Sequence, residues 1–263
     1  MPGDRDTNLT KSSRKKPEQP IQDVQQAAHQ VARTETASRP VRSRRTLLFQ
    51  VYLLVALVGF SALAVLASTS AYLPIDLTLT RALQNLRSPL VYDLMVTLSW
   101  PGYFPQAMLI ALLAAVFLYI FGFHWEAAMA VLLTVAEGAL NQVVKIVVHR
   151  PRPAPDLVHV FAQLSSYSFP SGHVMFYTAF FGFLFFLAFT LLRPSAWRSC
   201  LLILTGGLVV LIGLSRIYLG DHWASDVLAG YFLGSLLLSG GILVYRWGKA
   251  HFFPRQPVAP GAP

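Results

Sequence analysis

The chain has 263 residues, 54% of them hydrophobic and only 13% charged, with a formal net charge of +9 and a mean hydropathy of +0.51. That balance departs from the soluble average toward an integral membrane protein and excludes a chain whose apolar residues only fill one water-soluble core. The single cysteine, Cys200, excludes an intramolecular disulfide and reads as a small apolar or lipid-facing residue.

Residues 1–45 carry ten of the 21 Lys and Arg against five acids and almost no large apolar side chain. This composition predicts a disordered basic tail. Its end, Arg42-Ser43-Arg44-Arg45, abuts a long apolar run, which predicts a topological role that holds the N-terminus in the cytoplasm and contacts anionic lipid. The tail has no aromatic residue to stack on a base, so nucleic acid is not the expected partner. It also lacks the order of a cleaved signal peptide.

Six apolar stretches follow, near 46–68, 104–123, 127–147, 173–192, 197–217 and 225–246, each close to the roughly 20 residues that cross a bilayer. Their pattern is not the alternation of a barrel, so the expected fold is all-α: a six-helix transmembrane domain over 46–250 and a disordered C-terminal tail at 251–263. Tyr72–Tyr103, broken by Pro74, Pro89 and Pro101, predicts short amphipathic helices at the interface.

Three polar islands interrupt these stretches: Lys145–Pro153 (KIVVHRPRP), Phe169–His173 (FPSGH) and Ser215–Asp226 (SRIYLGDHWASD). With the N-terminus inside, all three fall on the outer membrane face. Leading into the first, Glu137, Asn141 and Lys145 recur every four residues and share one helix face. Lys145 reads as a functional group directed into the bundle, against a snorkelling interfacial lysine. Glu137 reads as a structural hydrogen-bonding residue. Arg152, held between Pro151 and Pro153, suits bidentate phosphate recognition; His149 and Arg150 could contribute to it but read first as solvated loop residues.

In the second island Ser171 is placed to cap a helix whose free N–H groups seat an anion. Gly172 admits that anion to the main chain, and His173 stands beside it. Alone, the motif is equally a plain capped helix start. In the third, Asp226 follows His222 by four residues, on one face of a turn. A carboxylate accepting from Nδ1–H leaves Nε2 free as a nucleophile, whereas in isolation the pair reads as a satisfied interfacial histidine. Arg216 supplies a third cation beside Lys145 and Arg152, and together the islands suit a phosphate.

Lys145 with six residues before Arg152-Pro153, then Pro170-Ser171-Gly172-His173, then Ser215-Arg216 with five residues before His222 and three before Asp226, resembles the signature of the type 2 phosphatidic acid phosphatase (PAP2) superfamily. The resemblance covers roughly Asp76 to Gly240 and its three-part spacing is specific; the six-span layout is similar to the membrane lipid phosphatase branch. It implies that His222 forms a phosphohistidine, Asp226 orients it, and His173 protonates the leaving oxygen. It implies further that Lys145, Arg152, Ser171, Gly172 and Arg216 hold the phosphate, with no metal and no other cofactor. The expected substrate is a membrane lipid phosphate: phosphatidate, phosphatidylglycerophosphate or undecaprenyl diphosphate. A lipid or sugar phosphotransferase using the same intermediate is one alternative, and a non-catalytic transporter or scaffold is another. Haloperoxidase activity, known in soluble members, is disfavoured by the spans.

Overall fold

The computed structural model describes residues 39–162 and 164–253, so most of both expected tails lies outside the described residues. Eight helices are present among the described residues: α1 Arg39–Thr69, α2 Pro74–Gln84, α3 Pro89–Ser99, α4 Gln106–Ile120, α5 His124–Val148, α6 Gly172–Leu191, α7 Ala196–Tyr218 and α8 Ala224–Phe252. Helix α1 begins seven residues before the expected 46, with Pro40 tolerated in its first turn. The last helix likewise runs into the expected C-terminal tail.

Two units divide the chain. Of Met1–Val51 the described part is the first portion of α1, whose side chains from Arg44 are exposed; Tyr52–Pro263 is a compact unit that holds the rest. Among the described residues five single helices, α1 (from Arg44), α5, α6, α7 and α8, are long and apolar enough to cross a membrane. A sixth crossing is made only if Pro89–Gly102 and α4 are counted together, bent by 62° at their junction. The second span expected at 104–123 corresponds to α4, which is too short to cross alone. Pro101 and Pro105 explain the bend, because neither can donate to a continuing helix ladder.

Helix α6 is the centre of the compact unit: 61% of its apolar window is buried, against 33% or less for each of the other single spans. It widens into a π turn at Tyr177–Phe181, where all five residues are buried. Phe176, Phe180, Phe183, Met129 and Leu133 fill the main core, with Tyr245 and Ile212 closing it from α8 and α7. A smaller cluster joins Ala67 of α1 to Phe169 and Ala229, with Phe60 and Val144 around it. The outward faces stay apolar, with Leu113, Phe117 and Ile120 on α4 and Ile203 and Val210 on α7 all exposed. Such faces are stable against hydrocarbon and unstable against water. The protein is a multi-pass membrane protein.

The alternation of spans dictates where the islands fall. The end of α5, the start of α6, the end of α7 and the start of α8 lie at one end of the bundle, and each carries one piece of an island. At the other end Glu126 accepts from Lys249 and Tyr245, tying α5 to α8. At the site end α6 and α8 meet backbone to backbone: Ser171 N donates to Asp226 O at 3.1 Å, and a Cβ on Gly230 would sit 3.0 Å from Ser171 O. The turn after α7 depends on Gly220, whose φ is +68° and whose missing Cβ would lie 2.2 Å from the His159 carbonyl oxygen. Gly220→Ala is therefore expected to destabilise the protein by more than about 1 kcal/mol, from the left-handed backbone alone, read as a lower Tm in detergent.

Candidate active site

A cavity of about 410 Å³ opens among these four helix ends. Lys145, Arg152, Gly172, His173, Arg216 and His222 line it, so six of the eight expected site residues share one wall. Ser171 and Asp226 stand behind that wall, both fully buried. Glu137 and Asn141 line the cavity on the same helix face as Lys145, as their spacing predicts. Asn141 donates to Pro170 O at 3.2 Å, which fixes the start of α6.

The cations are held by the backbone around them. Lys145 donates to Tyr167 O, and Arg152 donates to Ser166 O at 2.7 Å and Asp221 O at 2.6 Å. Arg152 also lies 3.3 Å from His222 Nε2. A guanidinium nitrogen can only donate, so Nε2 is the accepting nitrogen and the ring proton sits on Nδ1. Burial, then the charges of Arg152, Lys145 and Arg216, holds the His222 imidazole well below its usual 6.5, so the ring is neutral at pH 7. Burial also lowers Arg152, to about 10, which leaves it charged.

Asp226 differs from the expected arrangement. Its Oδ2 is 3.7 Å from His222 Nδ1, beyond hydrogen-bond length. Ser168 Oγ stands between them, donating to Asp226 Oδ2 at 2.5 Å and lying 3.5 Å from Nδ1. Oδ2 also accepts from Trp223 N at 2.9 Å, so the carboxylate caps the first turn of α8. Ser171 occupies the position before α6 without a capping bond; its Oγ and His173 Nε2 are buried with no hydrogen-bond partner among the described residues.

Four further residues belong to the site. Arg150 was expected in a solvated loop; it is buried instead, because the left-handed turn at His149 (φ 54°) directs the chain inward as α5 ends. Ser99 and Tyr103, at and just beyond the end of α3, accept from Arg216 at 2.6 and 3.2 Å. Asp221 pairs with Arg216 at 2.5 Å, both side chains buried. Burial raises the Asp221 carboxyl, with Arg216 and Arg152 opposing the rise.

The family model described as PAP2 superfamily matches residues 125–252. Phosphatidylglycerophosphatase B of Bacillus subtilis (strain 168) is 32% identical over 181 residues, covering 68% of this chain and 87% of that protein. The chain belongs to the PAP2 superfamily. An undecaprenyl-diphosphatase of Sulfolobus acidocaldarius is 40% identical over 72 residues, 27% of this chain and 30% of that one. Among solved structures, a transmembrane PAP2-type phosphatidylglycerolphosphate phosphatase from Bacillus subtilis superposes with a TM-score of 0.66 at 25% identity, covering 78% of this chain and 98% of that one. Aquifex aeolicus LpxE, at TM-score 0.53 and 24% identity over 65% of this chain and 96% of that one, shares the fold. This PAP2 protein is thus a membrane-embedded phosphatase of the PAP2 type.

Proposed function

We propose that this phosphatase hydrolyses a phosphomonoester or diphosphate of a membrane lipid at the outer face of the membrane, through a phosphohistidine on His222. The observation that carries the lipid assignment is continuity: the cavity shares Met108 and Thr134 with a largely apolar groove between α4 and α5, which extends through Val131 and Val135 toward the other end of the bundle. A phosphate seated among the cations leaves its hydrocarbon chain in that groove. The names of the relatives suggest the first lipids to try: phosphatidylglycerophosphate and undecaprenyl diphosphate, with phosphatidate as the simplest phosphomonoester.

In the proposed mechanism His222 Nε2 attacks phosphorus in line as the P–O bond to the lipid breaks, and His173 gives its proton to the departing oxygen. Lys145, Arg152, Arg216, the Gly172 N–H and Ser171 neutralise the equatorial oxygens. Water then attacks the phosphohistidine, losing a proton to His173 and releasing inorganic phosphate. Three protein cations supply the charge that a metal supplies elsewhere, so the reaction needs none. Orientation follows from charge: Arg193, Arg198, Arg246 and Lys249 sit toward the end of the bundle opposite the site, and the basic 1–45 segment leads into the apolar part of α1. Cytoplasmic N- and C-termini and an outward site satisfy the positive-inside tendency.

The test is phosphate release from the three lipids in detergent, with chelator present. Release at an undiminished rate, with the acid limb of kcat/KM well below pH 6.5, is the expected result. No release from any of the three, or release that chelator abolishes, would count against the proposal. If labelled donor phosphate appeared on an added lipid or sugar alcohol instead, the phosphotransferase alternative would replace hydrolysis.

A further inference from the structure

We propose that Asp76 and Arg150 are positioning residues for the nucleophile, a buried ion chain that fixes Asp226 and, through it and Ser168, the imidazole of His222. The inference rests on the assignment of His222 above. Arg150 NH1 donates to Asp226 Oδ1 at 2.5 Å and its NH2 to Asp76 Oδ2 at 3.0 Å; all three side chains are fully buried. Two further donors of Arg150 are engaged, with NH1 also reaching Ser225 Oγ at 2.7 Å and Nε reaching Ala71 O at 3.2 Å. Asp76 also accepts from Ser225 N and Oγ, at 2.8 and 2.7 Å. It therefore grips the first turn of α8 from a helix about 150 residues earlier in the chain.

One carboxylate would suffice to neutralise Arg150. Two, on opposite edges of a planar guanidinium, define its plane and hence the place of Asp226. Asp226 spends Oδ1 on Arg150 and Oδ2 on Ser168 and Trp223, so its geometry is determined from two sides. The pairing with Arg150 also offsets the negative charge of Asp226 next to His222, which keeps the ring free of a proton. Asp76, on α2, lies outside residues 125–252, whereas Arg150 and Asp226 lie within them.

The charges that face His222 are the cations Lys145, Arg152 and Arg216, the carboxylates Asp221 and Asp226, and the His173 ring. Against that background, Asp76→Asn removes one negative charge and leaves Arg150 less compensated. His222 then holds a proton less readily, and the acid limb of kcat/KM moves to lower pH. In the full chain in detergent, with phosphatidate or whichever of the three lipids the wild type hydrolyses, kcat is expected to fall about tenfold, the usual scale for a partner one step behind the reacting group. KM stays within about twofold, because the phosphate cations are untouched.

Arg150→Lys is the second variant, because one ammonium cannot bridge both carboxylates; it too is expected to lose kcat with KM held. Thermal unfolding of each variant reports whether it is folded, and where Asp76→Asn is not, Arg150→Lys decides. Folded variants that keep wild-type kcat and acid limb would overturn the proposal. So would a kcat that falls only in proportion to the folded fraction, with the limb unmoved. Loss of the underlying reading looks different: there the wild type is inactive on all three lipids, or His222→Ala is as active as the wild type.

Discussion

Replacing His222 by alanine is expected to lower phosphate release by roughly 10⁴- to 10⁶-fold, the scale seen when an enzyme loses the nucleophile of a covalent mechanism. The basis is geometric. His222 lines the cavity together with all three cations, with an unprotonated Nε2 that lies 3.3 Å from Arg152. Because the cations remain, His222→Ala should still bind orthovanadate or inorganic phosphate, seen as retained protection against thermal unfolding. Loss of turnover with binding intact separates a nucleophile from a residue that shapes the pocket.

The second large effect is expected at Arg216. Its guanidinium is held by Ser99, Tyr103 and Asp221 in a fully buried setting, so Arg216→Ala removes a phosphate ligand and strands the Asp221 carboxylate at once. Activity should fall roughly 100- to 1,000-fold, the cost of losing one preorganised charge at the transition state. Stability should fall as well, by about 3–5 kcal/mol, because a buried charge without its partner costs more than the pair contributed. The double variant Arg216→Ala/Asp221→Ala separates the two consequences. It should recover much of the lost Tm while activity stays low. Recovery of activity in the double variant would mean that Arg216 serves the fold and not the phosphate.

The fold class and most of the cavity wall were legible from sequence because both are written locally. Span length and apolar continuity require only neighbours in the chain. Lys145, Glu137 and Asn141 share a face by helical periodicity alone. What was not legible depends on partners far apart in sequence. Arg150 reads as a loop cation, since Pro151 and Arg152 beside it suggest an exposed, stiffened strand of chain. Only the approach of Asp76 and Asp226 from two other helices makes it a buried hub. Asp76 in turn reads as an ordinary acid in the first turn of a proline-started helix, which it also is, accepting from Leu73 N at 2.9 Å. The one available signal was chemical scarcity: a chain this apolar has few carboxylates, and one near a predicted membrane interface needs a partner. Ser168 and Ser99 carried no such signal. A lone serine next to an apolar run has no sequence feature that distinguishes a buried relay from a surface hydroxyl. The bend before α4 lay between these cases; Pro101 marked a break, but the 62° angle between the two halves is not written in the sequence.

The most direct test of the central claim is to trap the intermediate. Wild-type protein in detergent, mixed with phosphatidate carrying a labelled phosphate and quenched in alkali within the first turnover, should carry the label on the peptide containing His222, since phosphohistidine survives base. The same quench of His222→Ala should carry none. Label on a different residue, or full phosphate release by the wild type with no protein-bound label at any quench time, would contradict the account.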